Sequence, residues 1–477
     1  MQILILCIYM GVLLGIGFYY SNKMKNFDDF SLAGRSVGWP ILLATSAATM
    51  IGGGASMGSV DRVIMYGAAG GIPAAAWYVN MIYSGHFVAP KLRKLGFITL
   101  GDFFAYRYGE FSRYLIGVIS FLFCMAVIAA QIAAMGAILE ATLGVPFFWA
   151  AIIGAAVVVV YSALGGMWAV IQTDVIQFLL LVIGFGIAAI VGLHKVGGYG
   201  ELLAQLPEGF SRFTGTMGGA KLASLFVAFF FGEMFSPFYV QRMYAAKDER
   251  TAWVGITGSG VFMLLFMPIT VITLGFLAQA LVPGAGKDQA LPLVIKALFP
   301  GAVSAVFVAA MMACVMSSCD SILSSCATIA VQDFYKRLSG RETSPRKTLT
   351  IARITTAVIG VVALGLALWA RDIIGLLLIS YMVWAPAAIL PIIVGVSRKY
   401  SSKMSYAVVA SMILGCIGAG IWRVMGDPYV EALDPPVIGL GVAVVVFVIS
   451  LPLTLHLRLI RGFIPACTLA RQEGDTE

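Results

Sequence analysis

About thirteen apolar runs, each long enough for a helix to cross a lipid bilayer, cover most of this chain of 477 residues. A membrane-spanning segment must satisfy its own backbone polar groups, and helices of about 20 apolar residues do so. The sequence therefore predicts an all-α integral membrane protein. The predicted spans are 2–20, 37–60, 66–90, 113–143, 147–168, 170–194, 222–244, 252–282, 301–333, 348–370, 373–397, 404–425 and 436–457.

The charge distribution predicts how the chain is oriented in the membrane. Charged residues make up only 11% of the chain, and the net charge is +8. Most of the Lys and Arg residues fall in alternate loops, beginning with Lys23, Lys25 and Arg35 and continuing with the cluster at 91–113. We expect the protein to lie in the plasma (inner) membrane. Because cytoplasmic loops carry the excess of basic residues, its N-terminus is expected outside the cell and its C-terminus in the cytoplasm. The positive charge then indicates topology, not binding to nucleic acid.

Several other functions lack sequence support. The seven cysteines are scattered with no CxxC pair, and the three histidines lie far apart, so neither a metal centre nor an organic cofactor is predicted. A hydrolase would need a base near its nucleophile, and a channel would need a continuous polar lining. We therefore predict that the protein is not an enzyme. The first run, 2–20, has no basic segment before it and is expected to be a retained helix, not a signal peptide.

One predicted span carries a polar stripe. Ser317, Asp320, Ser321, Ser324 and Thr328 recur at helical spacing and share one narrow face. A hydroxyl-rich face is also typical of tight packing between membrane helices. The carboxylate among these hydroxyls favours a binding site, because a charged group facing hydrocarbon is costly.

Two spans contain residues that interrupt helices. The second has three consecutive glycines at 52–54, and the seventh has Gly232, Glu233, Ser236 and Pro237 close together. Glycine for close packing and proline for a tolerated kink are the alternative explanation of each break. Paired breaks indicate a binding site at mid-membrane, since the freed backbone groups need partners.

The breaks also predict an internal repeat within one transmembrane domain, 1–477. Each broken span is the first of five consecutive spans, which gives a first repeat at 37–194 and a second at 222–397. The remaining parts are an extra N-terminal helix at 2–20, two additional helices at 404–457 and a cytoplasmic tail at 458–477.

Three motifs resemble the sodium/solute symporter family. They are YSALGGMWAVIQTDVIQ at 161–177, TLGDFFAYRYG at 99–109, and VMSSCDSILSS at 315–325 followed by Asp333, Phe334 and Tyr335. The pattern is most similar to the choline-transporter-like branch and its bacterial relatives. The resemblance implies a leucine-transporter-like fold of two inverted five-helix repeats.

The same resemblance implies sites for sodium, which is the expected coupling ion. The main site would consist of the carbonyl groups of Ala48, Ile51 and Cys314 with the hydroxyls of Ser317 and Ser318. Unwound carbonyls and hydroxyls suit sodium, because they supply hard oxygen ligands without a full negative charge.

A possible second cation site is implied at Asp174, Ser317, Asp320 and Ser321. The sialic-acid-type members have a serine where Asp320 stands here. Because two neighbouring carboxylates would bind a cation strongly or hold a proton, the second ion stays open between sodium, a proton and none.

A small organic solute is the expected cargo. Choline itself is disfavoured, because Met50 and Ser236 stand where that branch has two tryptophans of an aromatic cage, although Trp77 keeps an aromatic ring. Glu233 has two interpretations, recognition of a cationic group or capping of the broken helix. Tyr381 and Trp384 would form a gate or simply belong to the core. The candidate solute-binding residues are Gly52, Trp77, Gln131, Glu233, Ser236, Tyr381 and Trp384.

The sequence thus predicts a secondary active transporter that carries a small organic solute into the cell together with sodium, by alternating access. The alternative is a proton-coupled transporter that uses Asp174 and Asp320 as its relay. The partners are then the solute, sodium and the lipid bilayer, and no oligomeric state is predicted.

Overall fold

The computed structural model describes residues 2–286, 288–340, 344–397, 404–425 and 433–456, and the helices there account for nearly all regular structure. The predicted tail at 458–477 lies outside the described residues. Helices α1 to α21 are, in chain order, Gln2–Ser21, Phe27–Leu32, Trp39–Met50, Ser59–Tyr66, Ala68–Gly71, Ala75–Phe87, Ala89–Leu95, Leu100–Tyr108, Glu110–Leu143, Phe147–Lys195, Tyr199–Ala204, Gly219–Gly232, Pro237–Ala245, Glu249–Leu281, Ala290–Leu298, Gly301–Ile329, Lys336–Ser339, Pro345–Ala370, Ile373–Ser397, Met404–Met425 and Pro435–His456.

The helices confirm the prediction of an all-α membrane protein. Within the described ranges, nine helices are long and apolar enough to cross a membrane, and two bent helix pairs raise this number to as many as 11. The predicted number is thirteen, which is two more. One of the two is the predicted span 66–90, whose helix α6 is short, and the other arises because α10 covers two predicted spans. The number thirteen therefore stays a prediction.

The interruptions predicted in the second and seventh spans are both present. Helices α3 and α4 are bent by 60° across their break, with a wide π-helical turn at Gly54–Gly58. Helices α12 and α13 are bent by 45° across residues 233–236. Glycine and proline specify these breaks locally, since both residues are unfavourable inside a helix.

No loop separates the predicted spans 147–168 and 170–194 in the structure. The structure has one element, α10, of 49 residues, in which Gly166 alone departs from helical geometry with φ 51° and ψ −152°. A side chain there would be strained, and its Cβ would lie 2.7 Å from the Phe30 ring. A straight helix of this length would measure about 74 Å, more than twice the hydrocarbon thickness. The element therefore fits two crossings that meet at Gly166.

Helix α16 lies at the centre of the molecule. All of its residues from Phe307 to Ile329 are buried, and it packs against α1, α3, α9, α10, α13 and α18. Helices α20 and α21 pack mainly on each other and on α19, at the periphery. The polar stripe of α16 therefore faces other helices, as the sequence predicted.

Candidate functional site

The break between α3 and α4 is held by a neighbouring helix. Helix α3 ends at Met50, and Ile51 has φ −100° and ψ 72°. Gly52 lies so close to Gln131 of α9 that an added Cβ would be 2.6 Å from the amide nitrogen. The Gly53 N–H donates a hydrogen bond of 2.8 Å to the Gln131 amide oxygen. The break thus favours glycine, because a larger residue would displace the Gln131 amide that bonds to Gly53.

Helix α16 meets this break at the residues predicted for sodium. The Ser317 hydroxyl lies 3.1 Å from the carbonyl oxygen of Ala48 and 2.9 Å from that of Cys314. The Cys314 thiol donates to the Ile51 carbonyl oxygen at 2.6 Å. These four residues are completely buried. The structure therefore brings the two sides of the predicted group, 263 to 269 residues apart in sequence, into direct contact.

Ser318 lies beside this group with a slightly different partner. Its hydroxyl donates to the Thr49 carbonyl oxygen at 2.8 Å and lies 3.4 Å from the Cys314 carbonyl oxygen. Hydroxyl and carbonyl oxygens are hard, uncharged ligands, so this group suits a monovalent cation that must also be released. Among the described residues, no cluster of three His, Cys, Asp or Glu side chains offers a transition-metal site.

Asp174 of α10 has a partner that the sequence analysis missed. The Arg242 guanidinium lies 2.9 Å from the Asp174 carboxylate, and neither side chain is exposed. Arg242 also donates to the Thr45 hydroxyl at 3.1 Å and to the Ser321 hydroxyl. Thr45 in turn donates to Asp174. The signal for this pair was an arginine within a predicted span, since such a residue needs a buried carboxylate or a carbonyl partner.

Asp320 lies on the other side of Ser321. The Ser321 hydroxyl is 3.0 Å from one Asp320 carboxylate oxygen, and the Tyr161 hydroxyl donates to the other at 2.6 Å. Thr173 is a more distant contact of the same oxygen at 3.5 Å. The Thr49 hydroxyl is 3.0 Å from that of Ser321. Asp174, Asp320 and Ser321 are therefore linked in one buried polar network. Ser317 joins it only through its backbone carbonyl oxygen, which accepts a hydrogen bond from the Ser321 hydroxyl at 2.7 Å.

A narrow cavity lies between the two broken helices, next to the sodium-site residues. Four of the candidate solute-binding residues line it: Gly52, Trp77, Gln131 and Glu233. Thr49, Met50, Phe238 and Ser318 also contribute to its wall. The ring of Trp77 stacks on Phe229 with centroids 4.5 Å apart. Ser318 therefore belongs to both the cavity wall and the predicted sodium site.

The other three candidates do not line this cavity, so their predicted contact with the solute finds no support in its geometry. Tyr381 lies behind Glu233 and donates a hydrogen bond of 2.7 Å to its carboxylate. The Trp384 indole donates to the Met234 carbonyl oxygen at 2.9 Å, which is a core contact. Ser236 is completely buried, and its hydroxyl has no hydrogen-bond partner among the described residues. Periodicity and depth could not distinguish the cavity wall from the layer behind it.

The model of the sodium:solute symporter family matches residues 30–415 of this chain. The chain belongs to the sodium:solute symporter family. This symporter is similar to the sodium/proline symporter of Escherichia coli, with 26% identity over 464 residues that cover 92% of this chain and 91% of that protein. It is also similar to the high-affinity choline transporter 1 of Caenorhabditis elegans, with 26% identity over 430 residues and coverage of 85% and 72%.

The fold of this symporter is shared with a solved structure, a substrate-bound, outward-open Na⁺-coupled sialic acid symporter. The TM-score is 0.82 at 21% sequence identity, and the match covers 95% of this chain and 97% of that one. The predicted family is confirmed, and choline transporters occur among the relatives together with proline symporters. The activity of this symporter is accordingly sodium-coupled symport of a small solute across a membrane that it crosses many times.

Proposed function

We propose that this symporter moves a small organic solute into the cell by alternating access, with solute and sodium bound side by side between the two broken helices. Sodium would bind to the carbonyls of Ala48, Ile51 and Cys314 and to the hydroxyls of Ser317 and Ser318. The solute would bind in the adjoining cavity, against Gly52, Trp77, Gln131 and Glu233, with Ser236, Tyr381 and Trp384 behind that wall.

The observation that carries this proposal is the dual position of Ser318. Its hydroxyl belongs to the oxygen cluster around Cys314, and its side chain lines the cavity. An ion at the cluster would therefore contact the wall of the solute site. Sodium binding would order that wall and raise the affinity for the solute, and thermodynamic linkage requires the reverse effect of equal size.

A second cation site at Asp174, Ser317, Asp320 and Ser321 is also proposed. Its two carboxylates and the Arg242 guanidinium sum to one net negative charge when all are ionised. One monovalent cation would neutralise the group. Because Arg242 already serves as the counter-charge of Asp174, the arrangement favours a bound cation over a proton relay between the two carboxylates.

The domain organisation and topology are proposed as predicted from the sequence. The two repeats at 37–194 and 222–397 would each begin with a broken span, flanked by the helix at 2–20 and the pair at 404–457. The N-terminus would face outside and the tail would lie in the cytoplasm. The matching positions of the two bends, 60° and 45°, support the repeat.

Uptake by purified protein in proteoliposomes tests the proposal. A thermal-shift screen of solutes in sodium and in potassium would first identify compounds that stabilise the protein more in sodium. We expect such a solute to accumulate inside the vesicles only under an inward sodium gradient. Full accumulation after complete replacement of sodium by potassium would contradict sodium coupling.

A further inference from the structure

Glu233 gives the solute cavity a carboxyl group that has no basic partner among the described residues. It is the one ionisable residue in the described wall of the cavity, which contains no Lys, Arg or His. No basic group among the described residues forms an ion pair with it. The buried arginine nearest in sequence, Arg242, is instead bound to Asp174. The carboxyl group is therefore available for a ligand in the cavity, and a cationic ligand would favour its ionised form.

The surroundings of this carboxylate keep it oriented without neutralising it. The Tyr381 hydroxyl donates to one oxygen at 2.7 Å, and the Tyr239 hydroxyl lies 3.3 Å from the other. Both donors are neutral. Since a carboxylate has about four acceptor positions, two of them are left for further N–H donors.

Capping of the broken helix does not explain the position of Glu233. Helix α13 begins at Pro237, which has no N–H group, and the N–H groups of Tyr239 and Val240 both donate to the Ser236 carbonyl oxygen. Neither carboxylate oxygen of Glu233 accepts a hydrogen bond from a backbone N–H group in the described part of the chain. The side chain contacts tyrosines and the cavity instead.

The aromatic residues of the wall suit the same class of ligand. Trp77 and Phe238 line the cavity on which Glu233 borders. Aromatic rings attract cations, and this attraction is strongest where water is excluded. A carboxylate alone in the membrane interior is costly, so a cationic ligand would remove that cost on binding.

We infer that the transported solute carries a primary or secondary ammonium group, whose N–H bonds reach the free positions of the Glu233 carboxylate beside Trp77. This inference rests on the proposed function and specifies the solute class of the same site. A quaternary ammonium has no N–H to donate, and Met50 in the cavity wall is not aromatic. Zwitterionic amino acids and simple amines both carry the required group.

A thermal-shift panel on the purified full-length symporter tests this class in sodium and in potassium. The probes are ethanolamine, pyrrolidine, alanine and proline as N–H ammonium compounds, choline as the quaternary compound, and glycerol and glucose as uncharged ones. We expect one or more N–H ammonium compounds to stabilise the wild type, more strongly in sodium, and the uncharged probes to have no effect. Glu233→Gln should weaken that binding roughly 10- to 100-fold, which is typical of losing a charged hydrogen bond.

Glu233→Asp keeps the charge but shortens the side chain, so it should retain the preference for amines at lower affinity. Glu201→Gln, on an exposed residue of α11, is the matched control and should behave as the wild type. Stabilisation by sodium alone reports that each variant is folded and that its ion site is intact.

The outcomes separate the two levels of the proposal. Three results would overturn the ammonium inference and leave sodium coupling standing. They are sodium-dependent stabilisation by uncharged probes only, no stabilisation by any N–H ammonium probe, and equal stabilisation of the wild type and Glu233→Gln by such a probe. The absence of any sodium-dependent stabilisation of the wild type would instead contradict the proposed function.

Discussion

Arg242 and Asp174 form an ion pair in the interior of the symporter, with 2.9 Å between the guanidinium Nη2 atom and the carboxylate Oδ2 atom. Arg242 belongs to α13, the second half of one broken span, and Asp174 belongs to α10. Thr45 of α3 bonds to both side chains. The pair therefore connects both broken spans to the long helix that carries the family-like motif.

Arg242→Gln should destabilise the protein strongly, because it leaves the Asp174 carboxylate buried without a counter-charge. The expected loss is about 3–5 kcal/mol of unfolding free energy. Thermal unfolding in detergent measures it, and the double variant Arg242→Gln with Asp174→Asn should lose much less than the sum of the two single losses. Arg212→Gln, at a largely exposed arginine, is the control. Strict additivity of the two single variants would contradict the pairing.

Ser317→Ala and Ser318→Ala should each raise the sodium concentration needed for half-maximal uptake by roughly tenfold or more, because each removes an oxygen ligand of a charged species. Initial uptake rates across a range of sodium concentrations measure this change. Ser324→Ala is a matched control on the same helix, since its hydroxyl is buried but has no partner among the described residues. A wild-type sodium requirement in both Ser317→Ala and Ser318→Ala would remove them from the ion site.

The parts of this arrangement that the sequence predicted are those with a local cause. Gly52 and Pro237 specify breaks because their own backbone chemistry disfavours a helix, and Ser317 shares a face with Asp320 because helical spacing places them together. The contact of Arg242 with Asp174 joins residues 68 apart through the crossing of helices. No periodicity within one span contains that information.

The boundary at Gly166 shows a second limit of the same kind. Apolar runs indicate where a chain can cross the membrane, and here they predicted two separate spans. One residue with φ 51° lets α10 change direction without a loop, and its tight contact with Phe30 of α2 is a tertiary feature. The wall of the solute cavity was predicted only in part for a similar reason. Depth of burial does not identify the wall, since Tyr381 and Trp384 are as deeply buried as Trp77 but lie behind it.

Asp320→Asn should reduce the number of cations that move with each solute, since it removes one of the two negative charges around Arg242. Parallel measurements of radioactive sodium and solute flux give this stoichiometry. Tyr161→Phe removes the hydroxyl that donates to Asp320 at 2.6 Å but keeps the carboxylate, so it should retain the wild-type stoichiometry. Unchanged stoichiometry in Asp320→Asn would exclude the second cation site, and loss of a pH dependence of uptake in that variant would favour the proton alternative.

The two broken spans are also joined at the end of the molecule where α3 begins and α13 ends. Val37 and Lys247 are connected by a hydrogen bond of 2.9 Å from the Lys247 N–H to the Val37 carbonyl oxygen. Arg93 of α7 donates to the carbonyl oxygens of Ala246 and Lys247 at 2.5 and 3.1 Å. In the proposed topology this is the cytoplasmic end, so these contacts would close the inner side of the solute site.

Arg93→Gln should weaken that closure, because it removes both hydrogen bonds to the segment after α13. Hydrogen exchange followed by mass spectrometry would measure faster exchange in the peptides that contain 36–39 and 245–249. Lys94→Gln, at an exposed residue of the same helix, is the control. Identical exchange in Arg93→Gln and the wild type would show that Arg93 does not hold this closure.

Gly232→Ala should lower the affinity for the solute while leaving the sodium affinity nearly unchanged. An added Cβ at Gly232 would lie 2.3 Å from the ring of Tyr381, so the tyrosine must move, and its hydrogen bond to Glu233 would be lost. The carboxylate would then be held less rigidly at the cavity wall, whereas the oxygen cluster around Ser317 lies on other helices.

Gly219→Ala in the same helix adds a Cβ that meets no atom within 4 Å and should behave as the wild type. Half-saturating solute and sodium concentrations, measured on the same vesicles, check both expectations, and an equal rise in the two values would indicate general damage to the core instead of a specific effect on Glu233.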